Sequence, residues 1–214
     1  MNRAIRWSVA IALLALPAGA VAQSATGFRA GVRNAGLQTG QGVSTITEAV
    51  YGAYLGFGLS DRLAFQAEVV YGVRGADGLG LGTDVLDPNA GDVRLDMQYL
   101  EVPLLLRAGF PGERLLASFF AGPYAGFLLS CEVTAGGSTG ACDDDAATQR
   151  FGPRSTDFGL VAGTGVDIAI GESTIFFDAR YTLGILSIQS GADGFDARHN
   201  GLAITGGIAV PLGR

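Results

Sequence analysis

The sequence predicts an all-β fold, an eight-stranded antiparallel up-and-down transmembrane β-barrel with short turns at one end and long loops at the other. Three observations carry that prediction. Past residue 22 the apolar residues alternate with polar or small ones, the period of a strand. The chain is 48% apolar with a mean hydropathy of +0.33, yet only 16% of it is charged, against roughly a quarter in soluble domains. No apolar run beyond the N-terminus reaches the roughly 20 residues that a membrane helix needs. A closed barrel is the other way to satisfy every backbone group in lipid.

The N-terminal residues read as a secretory signal. Arg3 and Arg6 form a positive n-region, Ile11 to Leu16 an apolar stretch broken by Pro17, and Ala20-Val21-Ala22 a small-x-small cleavage site. Residues 1–22 are therefore expected to be removed and residues 23–214 to form one barrel domain. Without Arg3 and Arg6, 12 basic residues (14 − 2) face 20 acidic ones, a net charge of −8, and every basic residue is Arg. That balance argues against nucleic acid as a partner.

The clearest strand pair is 49–59 and 63–74. Leu63, Phe65, Ala67, Val69, Tyr71 and Val73 share one face, with Gln66, Glu68, Val70, Gly72 and Arg74 on the other. In the preceding stretch Tyr51, Ala53, Leu55, Phe57 and Leu59 repeat the pattern, and Ser60-Asp61-Arg62 is the turn between them. Six further strands are expected at about 28–34, 94–107, 115–130, 156–170, 174–187 and 200–212. Connections 60–62, 108–114 and 171–173 are short, whereas 35–46, 75–93, 131–155 and 188–199 are long and rich in Gly, Asp, Ser and Thr. Short periplasmic turns, long extracellular loops and an even strand count are the pattern of a bacterial outer-membrane barrel.

A soluble lipocalin-like barrel would also alternate, with its apolar face inward. The other face decides between them. It carries Gly56, Gly122, Gly126, Gly159, Gly163, Gly165, Gly184 and Gly207, which suit the narrow lumen of eight strands and not a water-facing surface. Tyr51 with Tyr71 and Phe57 with Phe65 lie six residues apart along their strands. That is on the order of 15 Å along a tilted axis, as for two interfacial aromatic girdles.

Tyr99-Leu-Glu-Val-Pro-Leu-Leu-Leu-Arg107 resembles a strand of the PorT-like outer-membrane β-barrel family, often labelled porin family proteins. Phe28-Arg-Ala-Gly31, Ala121-Gly-Pro-Tyr124, Asp157-Phe-Gly-Leu with Gly163 and Gly165, and Asp178-Ala-Arg-Tyr181 with Gly184 extend the resemblance along the chain. It implies an eight-stranded barrel and supplies no catalytic residues. The chain departs from many such barrels in ending Val210-Pro-Leu-Gly-Arg214 rather than in an aromatic residue.

Arg29, Glu68, Glu101, Arg107, Asp167, Asp178 and Arg180 are expected inside the barrel. A lone buried charge costs several kcal/mol, so Arg107 and Arg180 should meet Glu101, Glu68, Asp178 or Asp167 across the lumen. We read this set as an ion-pair plug that fixes register, the alternative being a polar pore or proton path. Cys131 and Cys142 share one long loop and are expected to bridge, worth about 2–3 kcal/mol, the alternative being two free thiols. Asp143-Asp-Asp145 is read as a solvated acidic loop rather than a Ca²⁺ site. Gly78-Leu-Gly-Leu-Gly82 opens no helix, so it is not a nucleotide loop. His199, the only histidine, is placed in or near the last long loop, exposed to solvent.

The sequence thus predicts a monomeric, non-enzymatic outer-membrane protein with no cofactor and no metal, acting structurally or through its four long loops, with an adhesin working through residues 131–155 as a separate alternative. Its partners would be outer-membrane lipid, the periplasmic chaperones and assembly machinery that insert barrels, and an extracellular partner that the sequence does not name. A narrow channel for ions or small solutes is the first alternative. A lipid-modifying enzyme using His199 is a more distant one.

Overall fold

The computed structural model describes residues 24–39, 42–77, 94–112, 115–135, 137–142, 154–186 and 198–212. The predicted signal segment, Gly78–Gly82 and Asp143–Asp145 lie outside them. Eight strands make the barrel: β1 (Ser24–Thr39), β2 (Gly42–Gly58), β3 (Leu63–Ala76), β4 (Arg94–Pro111), β5 (Leu116–Ala135), β7 (Thr156–Ile170), β8 (Ser173–Gly184) and β9 (Arg198–Leu212). The short β6 (Ser138–Ala141) folds back on the end of β5 as a hairpin.

Every barrel strand pairs antiparallel with its sequence neighbours, and β1 pairs with β9 to close the sheet. The register sets the barrel's size. A circuit from Ser24 through the paired residues Phe57, Phe65, Leu106, Ala121, Ala162, Tyr181 and Leu202 returns to β1 at Asn34, ten positions from its start (34 − 24 = 10). Eight strands with that stagger tilt by about 43° and form a backbone cylinder of about 8 Å radius. Such a cylinder holds side chains and little else.

The alternation sorts as the sequence predicts. Phe28, Val69, Leu104, Phe119, Phe158, Phe177 and Ile204 point outward and are exposed, while Arg29, Glu68, Leu105, Phe120, Asp157, Phe176 and Thr205 point inward and are buried. The tyrosine and phenylalanine pairs face each other across β2 and β3, Tyr51 opposite Tyr71 and Phe57 opposite Phe65.

Two loop expectations are corrected. Residues 35–46, expected as a long loop, continue β1 and β2 as a ladder that runs to the pair Thr39–Gly42. At the described outward positions Asn34, Thr45 and Thr47 the face is polar, with Asn34 Nδ2 donating to Thr47 Oγ1 at 3.0 Å. Beyond the lipid a strand needs no apolar face, so the apolar alternation stops while backbone pairing does not. Likewise β5 runs on to Ala135 and turns into β6, inside the stretch 131–155 expected as loop. A bulge accompanies this extension: Tyr99 pairs with Leu128, but Met97, two residues away, pairs with Cys131, three residues away. The extra residue resets the parity of β5, so Cys131 and Val133 join the side chains that close the lumen.

Candidate functional site: the charged lumen

The lumen is filled in layers. Nearest the short turns, Arg29 lies 5.9 Å from the Tyr54 ring and 5.3 Å from the Phe176 ring, and these two rings meet edge-on. Phe176 has room because β9 presents glycine to it: a Cβ on Gly207 would come within 2.6 Å of the ring.

A lower ion-pair network surrounds this floor. Arg29 Nη1 donates to Glu68 Oε1 at 3.2 Å, and its Nη2 pairs with Asp178. Arg180 Nη1 donates to Glu68 Oε2 at 2.7 Å, while its Nη2 reaches Asp178 Oδ2 at 3.4 Å. Arg107 donates to Asp167 Oδ1 at 2.8 Å and stands 3.5 Å from Asp178. Gln66 donates to Glu68 at 2.5 Å. Three guanidiniums meet three carboxylates, so the network is formally neutral.

Above it lies an apolar layer of Leu105, Phe120, Tyr124 and Val161. Phe120 takes Arg107 and Arg180 against its ring at 5.6 and 5.2 Å, and Tyr124 takes Arg74 at 4.9 Å from above. The upper network is again neutral. Arg33 pairs with both oxygens of Glu101, Nη2 at 3.0 Å from Oε2. Arg74 Nε donates to Glu101 at 2.9 Å and its Nη1 to Asp157 Oδ2 at 3.0 Å, and the Tyr124 hydroxyl donates to the same Asp157 oxygen at 2.7 Å.

His199 stands beside this network. The sequence reading placed it in a solvent-exposed loop, and the structure corrects that: it lies on β9, 1% exposed, edge-on to Tyr99 at 5.3 Å. Its parity with Gly201 and Ala203 turns it inward because β9 begins before the expected residue 200. Toward the long-loop end, Ala76, Leu95, Met97, Tyr99 and Cys142 form a buried apolar cluster, with Leu128, Cys131 and Val133 packed against it. The Cys131–Cys142 disulfide joins β5 to the end of the β6 hairpin, and the Cys142 amide donates to the Cys131 carbonyl at 3.0 Å.

The seven charges read from the sequence thus divide between two networks. Glu101 belongs to the upper one, and its partners Arg33 and Arg74 were not in the predicted set; nor were Asp157 and the three lumen tyrosines. Parity held the signal for the charged ones. Arg33 is four residues from Arg29, Arg74 six from Glu68 and Asp157 ten from Asp167, all even spacings on an inward face. Among the described residues no group of His, Cys, Asp and Glu is arranged to hold a metal.

Residues 21–190 match the family model described as outer membrane protein beta-barrel domain. No curated protein matches the chain. Among solved structures it is similar to the Neisserial surface protein A, at 16% identity over 87% of this chain and 98% of that one, TM-score 0.48. It is similar to Ail, the attachment invasion locus protein of Yersinia pestis, at 13% identity over 87% and 99%, TM-score 0.47. The outer membrane enzyme PagL is similar at 14% identity over 85% and 99%, TM-score 0.41. The family match spans most of the sequence, and the chain belongs to the outer membrane protein beta-barrel domain family of bacterial outer-membrane proteins.

Proposed function

We propose that this protein is a closed, non-enzymatic outer-membrane barrel of the PorT-like type that works as a monomer, structurally or through its extracellular ends. The observation that carries the reading is the layered filling of the lumen. Two neutral ion-pair networks, an apolar layer between them and an apolar cap above occupy a cylinder too narrow to leave a path beside them. His199 faces this interior rather than the lipid, so the reading gives it no part in lipid chemistry. The surfaces left for partners are the lipid-facing band, met by outer-membrane lipid and by the machinery that inserts barrels, and the extracellular hairpins. The latter would meet an extracellular partner, as an adhesin does.

Single-channel recording of residues 23–214, refolded into a planar bilayer, tests this. With insertion verified by a heat-modifiable gel shift, the expected result is no discrete conductance. Discrete steps that change when Arg107 or Arg180 is replaced would overturn the closed-lumen reading in favour of a narrow channel for ions or small solutes.

A further inference from the structure

We infer that the upper lumen is a closed chamber that binds ordered water around His199; the inference rests on the closed-lumen reading above. His199 is buried with neither ring nitrogen hydrogen-bonded among the described residues. Three more buried atoms of the same network share that condition: Arg33 Nε, Arg74 Nη2 and Asp157 Oδ1. They belong to one place. Arg33 and Arg74 converge on Glu101, Arg74 also holds Asp157, and Arg74 and His199 both pack against the Tyr99 ring, at 5.6 and 5.3 Å.

The chemistry of the five atoms selects the ligand. Arg33 Nε and Arg74 Nη2 can only donate, and Asp157 Oδ1, ionised, can only accept. A neutral imidazole adds one donor and one acceptor. An anion would leave Asp157 unanswered, and a cation would leave both guanidinium nitrogens so. Water both donates and accepts, and buried water characteristically makes about three such bonds to groups of this kind. The network's own charges already cancel, so a neutral ligand adds no unpaired charge.

The chamber is shut on both sides. Toward the periplasm stand Leu105, Phe120, Tyr124 and Val161. Toward the outside stand Met97, Leu95 and Tyr99, with Cys142 held onto them by its bridge to Cys131. The disulfide thereby controls exchange between the chamber water and bulk.

Because His199 is the only histidine, NMR of residues 23–214 refolded in micelles with ¹⁵N-labelled histidine reads this site alone. The expected result is a ring N–H resonance protected from bulk exchange that shows a cross-peak to long-lived water. A protected ring N–H without a water cross-peak overturns the hydration while leaving the closed lumen intact. A ring N–H lost to exchange in the oxidised protein overturns both. Reducing the folded protein in place, or the double variant Cys131→Ser with Cys142→Ser checked by gel shift, should then bleach the resonance through faster exchange. A resonance indifferent to both would overturn the role of the disulfide.

Discussion

Glu68→Gln tests the lower network, because it keeps the side chain's shape and removes its charge. Glu68 is 1% exposed and accepts from Arg29 at 3.2 Å, Arg180 at 2.7 Å and Gln66 at 2.5 Å. After the change three guanidiniums face only Asp167 and Asp178, leaving one uncompensated positive charge inside a cylinder of about 8 Å radius. Removing one partner of a buried pair costs about 3–5 kcal/mol, or roughly a hundred- to several-thousand-fold in the folding equilibrium. Replacing both members at once, Glu68→Met with Arg180→Met, keeps the network neutral and should recover most of the loss. The assay is urea unfolding of residues 23–214 in lipid vesicles, followed by the heat-modifiable gel band and far-UV circular dichroism. Tryptophan fluorescence does not serve, since the one tryptophan is Trp7. A cost under about 1 kcal/mol, the level of a solvated surface pair, would refute the reasoning: it would mean that water reaches the network and the lumen is open.

Three further changes probe other links with the same titration. Phe28, 73% exposed on the outward face of β1, should cost about 2–4 kcal/mol as Phe28→Arg if it meets lipid near the midplane; a neutral effect would point to water outside the barrel. A Cβ on Gly163 would lie 2.4 Å from the Ala179 carbonyl oxygen and 2.5 Å from the Phe120 ring, so Gly163→Ala should cost about 1–3 kcal/mol by overpacking, and Phe120→Leu in the same chain should relieve only the part due to the ring. Tyr124→Phe removes the hydroxyl that donates to Asp157 at 2.7 Å and accepts from Arg74 at 3.1 Å; a loss of about 1–3 kcal/mol with an unchanged dichroism spectrum is expected.

The fold was legible because lipid imposes a strict rule on one face. Each of the eight barrel strands must place apolar residues outward through the hydrocarbon, and Leu63 to Val73 or Phe158 to Ile170 repeat that rule with little interruption. The rule lapses outside the lipid, and there the reading failed. Residues 34–39 and 42–47 carry no sustained apolar alternation, yet their backbones pair with one another as those in the membrane do. The site was half legible for a related reason. Inwardness follows from parity, but partnership depends on stagger, which no strand reveals alone. Arg33 reaches Glu101, on β4, across the lumen. His199 was misplaced because it sits where β9 rises above the lipid, so its neighbours gave no periodic cue. Cys131 required a bulge to turn inward, a one-residue irregularity that the Gly, Ser and Thr around it do not announce.

The two networks also bear on what such a lumen is suited to carry. A pore selective for ions lines its path with one sign of charge or with rings of carbonyl dipoles, so that the field extends along the axis. Here each cation is held against a carboxylate, from Arg107 on Asp167 at 2.8 Å to Arg74 on Glu101 at 2.9 Å, and each network cancels within itself. The field is therefore local. In the proposed closed lumen an ion entering from either end would have to break contacts already made among the described residues. The same pairs tie strands that are not neighbours in the sheet: Arg29 of β1 to Glu68 of β3, Arg180 of β8 to Glu68, and Arg74 of β3 to Asp157 of β7. A one-residue slip of any of these strands would turn its charge into lipid. The lumen charges would thus fix the register of a sheet whose outer surface is nearly uniform, and that register would set where the β1–β2 hairpin and the disulfide-held β5–β6 hairpin stand above the membrane.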